Sequence, residues 1–325
     1  MKPHKLPSGS WNVRVMIEGQ SYSFTRSDRR EVMRMASEFA AAHRARIDNP
    51  TLLERLRDYV AENTERLSPS TVRSYEGMIR MIAERSPKIG NKRISALTEQ
   101  DIVEIVRPLR TLKTKRNYVN FIHAATGKGV TTKLYGKASK QVRVPTELEV
   151  NGLLQIFHDT DMEIPIMLAA YGGLRRGEIC ALTMSDIDGD FVSVSRAVVR
   201  DPSGQWVTKE PKTSSSIRSV LLPHFVIERI HERRYITHLL PSQVSDKFWK
   251  KQLRLGIRPY CFHSLRHFHA SYLHALNIPD AYIMARGGWS TPSVMQTIYR
   301  HALADHVSVT DLIAVSAFQN PCQNN

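Results

Sequence analysis

The chain has 325 residues, 42% of them hydrophobic, and its 46 Lys and Arg against 31 Asp and Glu give a formal charge of +15. This is enough for two or three domains with sizeable cores, while no apolar run reaches the ~18 residues of a membrane helix and the amino terminus lacks a signal-peptide core, so a cytoplasmic protein with no membrane partner is expected. The three cysteines, Cys180, Cys261 and Cys322, are too few and too scattered for a disulfide framework or a zinc cluster and are read as reduced thiols, two of them in the core.

The charge is uneven. Nine basic residues stand against five acidic ones in 1–50, nineteen against nine in 51–145, and eighteen against seventeen in 146–325. An excess of this size selects an anionic partner, with nucleic acid ahead of a membrane face or mere solubility.

Residues 11–17 alternate with the period of two of a half-buried strand, Glu18-Gly19-Gln20 makes a turn, and 21–26 alternate again, which predicts a hairpin. Asp28 can then cap a helix whose Val32, Met35, Ala36, Phe39 and Ala40 recur at helical spacing. After the break at Asp48-Asn49-Pro50 the chain reads as four short helices to about 126, interrupted at Ser68-Pro69, Ser86-Pro87 and 109–111. Leu52, Leu53, Leu56, Tyr59 and Val60 form one apolar stripe, and Val72, Tyr75, Met78, Ile79 and Ile82 another. At the start of the last helix Lys113, Lys115 and Arg116, beside the amides of a helix amino terminus, are candidates to grip nucleic-acid backbone phosphates. Residues 127–144, with Gly127, Gly129, Gly136 and a run of lysines, read as a flexible basic linker.

From 145 onward helices are expected near 146–158, 162–172 and 176–182, then strands near 190–200 and 217–222 with turns at Asp188-Gly189-Asp190 and Pro202-Ser203-Gly204. Helices follow near 223–238, 243–255 and 263–275, ahead of further helical segments. The fold class is therefore mainly α with small β-sheets (α+β), in several domains.

The run His263-Ser264-Leu265-Arg266-His267 carries the most chemistry. Residues three and four apart share a helix face, so His263, Arg266 and His267 project together while Leu265 and Phe268 turn to the core. A guanidinium fork beside an imidazole suits a phosphate: one binds two oxygens with fixed charge, the other moves a proton near neutral pH. His263 and His267 have metal-compatible spacing, but the Glu of a metalloprotease motif and clustered carboxylates are lacking, so no metal is expected.

Three further stretches accompany it in order: Leu168-Ala169-Ala170-Tyr171-Gly172-Gly173-Leu174-Arg175-Arg176-Gly177-Glu178, then Lys212-Thr213-Ser214-Ser215-Ser216-Ile217-Arg218-Ser219-Val220, then Gly287-Gly288-Trp289 ahead of Gln296-Thr297-Ile298-Tyr299-Arg300-His301. Together the four resemble the catalytic domain of the tyrosine recombinases, the phage-integrase family, over roughly 145–302. The resemblance implies a clamp of three parts, with an arm-type DNA-binding-like module at 1–48, a helical core-binding domain at 51–126, a linker at 127–144 and the catalytic domain at 145–325.

It also implies roles. Tyr299 would be the nucleophile, attacking the scissile phosphate to leave a 3′-phosphotyrosyl link and a free 5′ hydroxyl, with no cofactor because the bond energy is kept in the protein–DNA link. Arg175, which follows Gly-Leu as the family pattern requires, is preferred over Arg176, and with Arg266 it would neutralise the phosphorus oxygens. Glu178 would orient the site. Lys212, with Lys209 as the runner-up, would donate a proton to the leaving oxygen, and His263 would complete the acid–base set. Trp289 stands where most members carry His; an indole donates one hydrogen bond and packs but shuttles no proton. Its interval to Tyr299 is longer by a residue than the family's commonest.

The activity implied is site-specific cutting and rejoining of double-stranded DNA attachment sites by a homotetramer, for integration or excision of a mobile element such as a prophage. Host DNA-bending or excision-directing proteins would assist. A type IB topoisomerase and a catalytically silent DNA-binding regulator are the alternatives.

Overall fold

A computed structural model describes residues 1–17, 20–137, 143–210 and 217–289. It divides into two compact units, one of Met1–Leu67 with Thr71–Ser139 and one of Ser68–Ser70 with Lys140–Asn325.

In the amino-terminal unit, β1 (His4–Lys5), β2 (Trp11–Ile17) and β3 (Gln20–Arg26) form an antiparallel sheet in that order, with Trp11 opposite Arg26 and Ile17 opposite Gln20. The alternation puts Val13 and Val15 on the face covered by α1 (Arg29–Asp48), where they meet Val32 and Ala36. Asp28 starts this helix as expected, its carboxylate accepting from the amides of Arg30 and Glu31 at 2.6 and 2.8 Å. Phe39 adds ring contacts to Tyr22 and Phe24.

The helical part comprises α2 (Leu52–Glu62), α3 (Pro69–Arg85), the single turn α4 (Pro87–Gly90), α5 (Glu99–Val106) and α6 (Leu112–Thr126). Reciprocal caps start two of them, Thr51 with Glu54 and Thr98 with Asp101. Both apolar stripes read from sequence enter one core with Ile102, Ile105, Phe121 and Ile122, and Tyr75 stacks on Phe121 at 3.9 Å.

Two sequence expectations need correction here. The stretch after α6, read as part of a flexible linker, is docked along 130–137: Val130 and Leu134 pack on the helical core, and Thr131 and Thr132 donate to Glu99. Lys137 pairs with the entry to α6, donating to Arg110 O at 3.1 Å and accepting from Leu112 N at 3.2 Å. That contact, with Thr111 capping Thr114 N and Thr111 O accepting from Lys115 N, also occupies amides that the sequence suggested for phosphates. The side chains of Lys113 and Arg116 are exposed and that of Lys115 is half-buried.

In the second unit α7 (Glu147–Ile156), α8 (Glu163–Tyr171) and α9 (Arg176–Ile179) precede a small antiparallel sheet of β4 (Ile187–Asp188), β5 (Phe191–Val194) and β8 (Arg218–Leu221), and a separate hairpin of β6 (Ala197–Arg200) and β7 (Trp206–Lys209). Then follow α10 (His224–Arg233), α11 (Pro241–Arg254), α12 (Ser264–Ala275) and α13 (Asp280–Gly287). Helix α8 is apolar on all sides and is buried through the middle of the unit, with Val192, Val220, Ile230, Phe248 and Leu265 in the surrounding core. Glu163 at its start is buried yet matched by Arg229 and Arg233, which also pair with Asp159. His158, Asp159 and Glu163 have metal-ligand spacing, but these two guanidiniums already balance the carboxylates, as an ion-pair network does.

Cys180 is half-buried, whereas Cys261 is exposed rather than in the core, and Cys322 lies outside the described residues. No described helix is long and apolar enough to cross a membrane.

Candidate active site

The glycine pair between α8 and α9 makes the first wall. Gly173 has φ +65, and a Cβ there would lie 2.5 Å from Cδ2 of His269, so the turn needs glycine both for its backbone and for the close approach of that ring. His269 sits on α12, almost wholly buried, with Nδ1 3.1 Å from Ala170 O. A carbonyl only accepts, so Nδ1 carries the proton and the ring is held neutral; burial, followed by the charge of Arg286, lowers its pKa to about 3.

Arg175 leaves this turn at the cap position of α9. Its amide and its Nη1 both donate to Glu178, at 2.8 and 2.6 Å, and its Nη2 donates to Gly288 O at 2.6 Å. Part of the side chain remains open to solvent. Arg176 is half-buried and hydrogen-bonded to Ser245 of α11.

Glu178 is buried and is shared. Arg218, at the start of β8, donates to both of its oxygens, at 2.9 and 3.3 Å, and through Nε to Arg286 O at 2.8 Å. Burial works to raise the pKa of Glu178, but the bond and charge of Arg218, with those of Arg175, hold it below the usual carboxylate range.

Helix α12 makes the second wall. The sequence put Arg266 and His267 on an open face with His263; the structure buries both, Arg266 to 1% exposure and His267 to 8%, because α8 packs on one side and α13 with Trp289 on another. Arg266 Nη1 donates to Gly173 O, and the guanidinium lies 3.9 Å from the centre of the Trp289 ring. Its Nε and Nη2 have no hydrogen-bond partner among the described residues. Burial first, then the charge of Arg175, pulls its pKa well below the ordinary value.

His263 alone of the three is exposed, its ring 4.7 Å from that of His267 and edge-on to it. Loss of water on its protein side, then the charges of His267, Arg266, Arg175 and Arg176, lower its pKa to about 4. His267 is lowered to about 4 by burial and by Arg266.

Trp289 follows α13. Gly288 has φ +65 and ends the helix, and a Cβ on Gly287 would lie 2.0 Å from Cζ3 of Trp289, so the ring folds back over a bare backbone. The structure thus brings together Arg175, Glu178, His263, Arg266 and Trp289. Lys212 and Tyr299 lie outside the described residues, and Lys209 closes β7 opposite Ala197. The sequence reading gave no role to Arg218, Arg286 or His269. Arg218 stood within a quoted motif, but a contact with Glu178 forty residues away leaves no local periodicity to read.

The phage integrase family model matches residues 143–306, half of the chain. The chain belongs to the phage integrase family. This integrase domain spans the whole constellation just described and extends past Tyr299. A curated relative, a XerC-like tyrosine recombinase of Caldanaerobacter subterraneus subsp. tengcongensis, is 24% identical over 72% of this chain and 75% of its own.

Solved structures share the fold at lower identity. The Tn1549 transposon integrase bound to a circular intermediate DNA is 15% identical, with TM-score 0.66 over 80% of this chain and 99% of that one. A lambda integrase tetramer bound to a Holliday junction is 16% identical, with TM-score 0.53 over 91% and 94%. The mainly helical fold with small antiparallel sheets is therefore that of the integrases.

Proposed function

We propose that this integrase cuts and rejoins double-stranded DNA at specific sites, with Tyr299 as nucleophile and a 3′-phosphotyrosyl intermediate, in the integration or excision of a mobile element. The observation that carries this reading is the convergence of Arg175, Arg266 and His263 around one point, a concentration of cations that adds to burial in lowering the pKa of the imidazoles beside it and that a bound phosphate would relieve. Membership of the family supports the reaction class, and the DNA-bound assemblies of the Tn1549 and lambda enzymes support a duplex substrate and a tetramer.

In this reading Arg175, the more open guanidinium, meets the scissile phosphate first, held in direction by Glu178 and Gly288. Arg266, held between Gly173 O and the Trp289 ring, adds its charge from behind, and the two guanidiniums neutralise charge building on the non-bridging oxygens. The phenol of Tyr299, with an ordinary pKa near 10, gains acidity from these cations as it attacks phosphorus. The bond to the 5′ oxygen breaks as Lys212 protonates that oxygen, and the incoming 5′ hydroxyl reverses the step. His263 exchanges a proton with the attacking or re-forming oxygen.

The domain reading gives 1–48 an arm-type DNA contact, 51–126 the core-site grip with Lys113, Lys115 and Arg116 on backbone phosphates, and 145–325 the chemistry. The test is a substrate nicked near its cleavage point. The parent chain traps as a covalent adduct on a denaturing gel, and Tyr299→Phe binds the same DNA with no adduct. Adduct persisting in the Phe variant moves the nucleophile elsewhere.

A further inference from the structure

Arg218 occupies a junction that the reaction described above does not use. Its guanidinium, 6% exposed, spans from both oxygens of Glu178 to the backbone carbonyl of Arg286 in the last turn of α13. The other cation on Glu178, Arg175, reaches the same corner by its bond to Gly288 O. Two guanidiniums seated on one carboxylate therefore hold two carbonyls, and those carbonyls bracket Gly287.

The bracketed segment decides where Trp289 goes. Gly287 leaves the space that the indole fills, and Gly288 is in the left-handed conformation with its Cα side facing Arg218, since a Cβ there would lie 3.1 Å from Nη1. A backbone held at both carbonyls has few ways to turn, so the ring falls on the guanidinium of Arg266. Lysine is not a conservative replacement for arginine at such a fork, because one ammonium keeps the charge opposite Glu178 but lacks the three separate nitrogens that hold both carboxylate oxygens and the Arg286 carbonyl at once.

We propose that Arg218 is a positioning residue for strand cleavage: by tying Glu178 to the carbonyl of Arg286 it fixes the Gly287-Gly288-Trp289 corner and so sets Trp289 against Arg266. This rests on the recombinase reading for its kinetic arm only. In this role Arg218 acts through Trp289.

The experiment is a double-mutant cycle on the full chain with Arg218→Lys, Trp289→Ala and both together, in single-turnover cleavage of the nicked substrate. Arg218→Lys alone is expected to slow cleavage about 10-fold, the low end for losing hydrogen bonds to a charged group and below the loss expected from removing the Trp289 ring, with DNA affinity within about threefold. In the Trp289→Ala background the same change should cost less than about threefold, because the ring it positions is already gone. Additive losses, or an Arg218→Lys variant as fast as the parent, overturn the proposal.

A second arm needs no cleavage. Subtracting the emission of Trp289→Phe from that of the parent isolates Trp289, and the same subtraction in the Arg218→Lys background should show that component shifted to the red as the ring loosens. Gly288→Ala, which presses on the same contact from the other side, should give the same shift and serves if Arg218→Lys does not fold. An unmoved Trp289 component overturns the proposal. A parent that fails to cleave while this shift appears refutes the recombinase reading and leaves the positioning role standing.

Discussion

Trp289 lies face-on to the buried guanidinium of Arg266, 3.9 Å from ring centre to cation. A desolvated contact of this type is worth about 2 kcal/mol, or roughly 30-fold in rate if the transition state depends on it. Trp289→Ala should therefore cleave a nicked substrate about 30-fold more slowly in single turnover. Trp289→Phe keeps a face for the cation and loses only the indole N–H, so it should stay within about tenfold of the parent. Trp289→His, which donates a hydrogen bond, should retain measurable cleavage. An Ala variant as fast as the parent would place Trp289 outside the site.

Much of this arrangement was legible because its signals are local. Asp28 caps α1 through amides two and three residues on, and the alternation of 11–17 fixes which valines face that helix. Gly173 and Arg175 were legible as a motif. Burial was not: Arg266 looked like part of an open face because helical spacing says which residues share a side but not what packs against that side. The docking of 130–137 on Glu99 was hidden for the same reason, since a glycine- and lysine-rich composition describes a tether whether or not two threonines find a carboxylate.

Gly173 offers a sharp stability test. Gly173→Ala combines a positive φ, costing an L-residue about 1 to 2 kcal/mol, with a Cβ 2.5 Å from the His269 ring, which overpacks a rigid core for a further 1 to 3 kcal/mol or so. Thermal unfolding should fall by several degrees. Adding His269→Ala to Gly173→Ala should recover part of the loss, because it removes the ring but not the backbone strain. A Gly173→Ala chain as stable as the parent would show that this turn is not built as described.

The cations at the start of α6 should be visible in salt dependence. Each backbone phosphate contact contributes a slope of about 0.9 in log affinity against log salt. Changing Lys113, Lys115 and Arg116 to Ala in the full chain should flatten that slope by about 2 to 3 and weaken specific and non-specific DNA alike. An unchanged slope would assign these side chains to solvent.

The pH dependence follows from histidines held neutral. His267 and His269 have folded pKa values of about 4 and about 3, against an ordinary 6.5 in the unfolded chain. Between those limits the unfolded state binds more protons, so stability rises with pH; it is fully present above about 6.5 and is lost as pH falls toward 4. Each buried ring contributes up to about 1.4 kcal/mol per pH unit in that window. His269→Asn keeps a donor for Ala170 O but cannot titrate, so its unfolding temperature should fall less steeply between pH 6.5 and 4 than the parent's. His263 behaves differently because it is exposed and its lowered value of about 4 owes part of its shift to neighbouring cations. A phosphate on Arg175 cancels that repulsion and raises the pKa. The acid limb of DNA-bound single-turnover cleavage should then lie at higher pH than the limb set by the free protein, and His263→Gln should abolish the difference. Coincident limbs would mean that no phosphate sits beside His263 when the strand is cut.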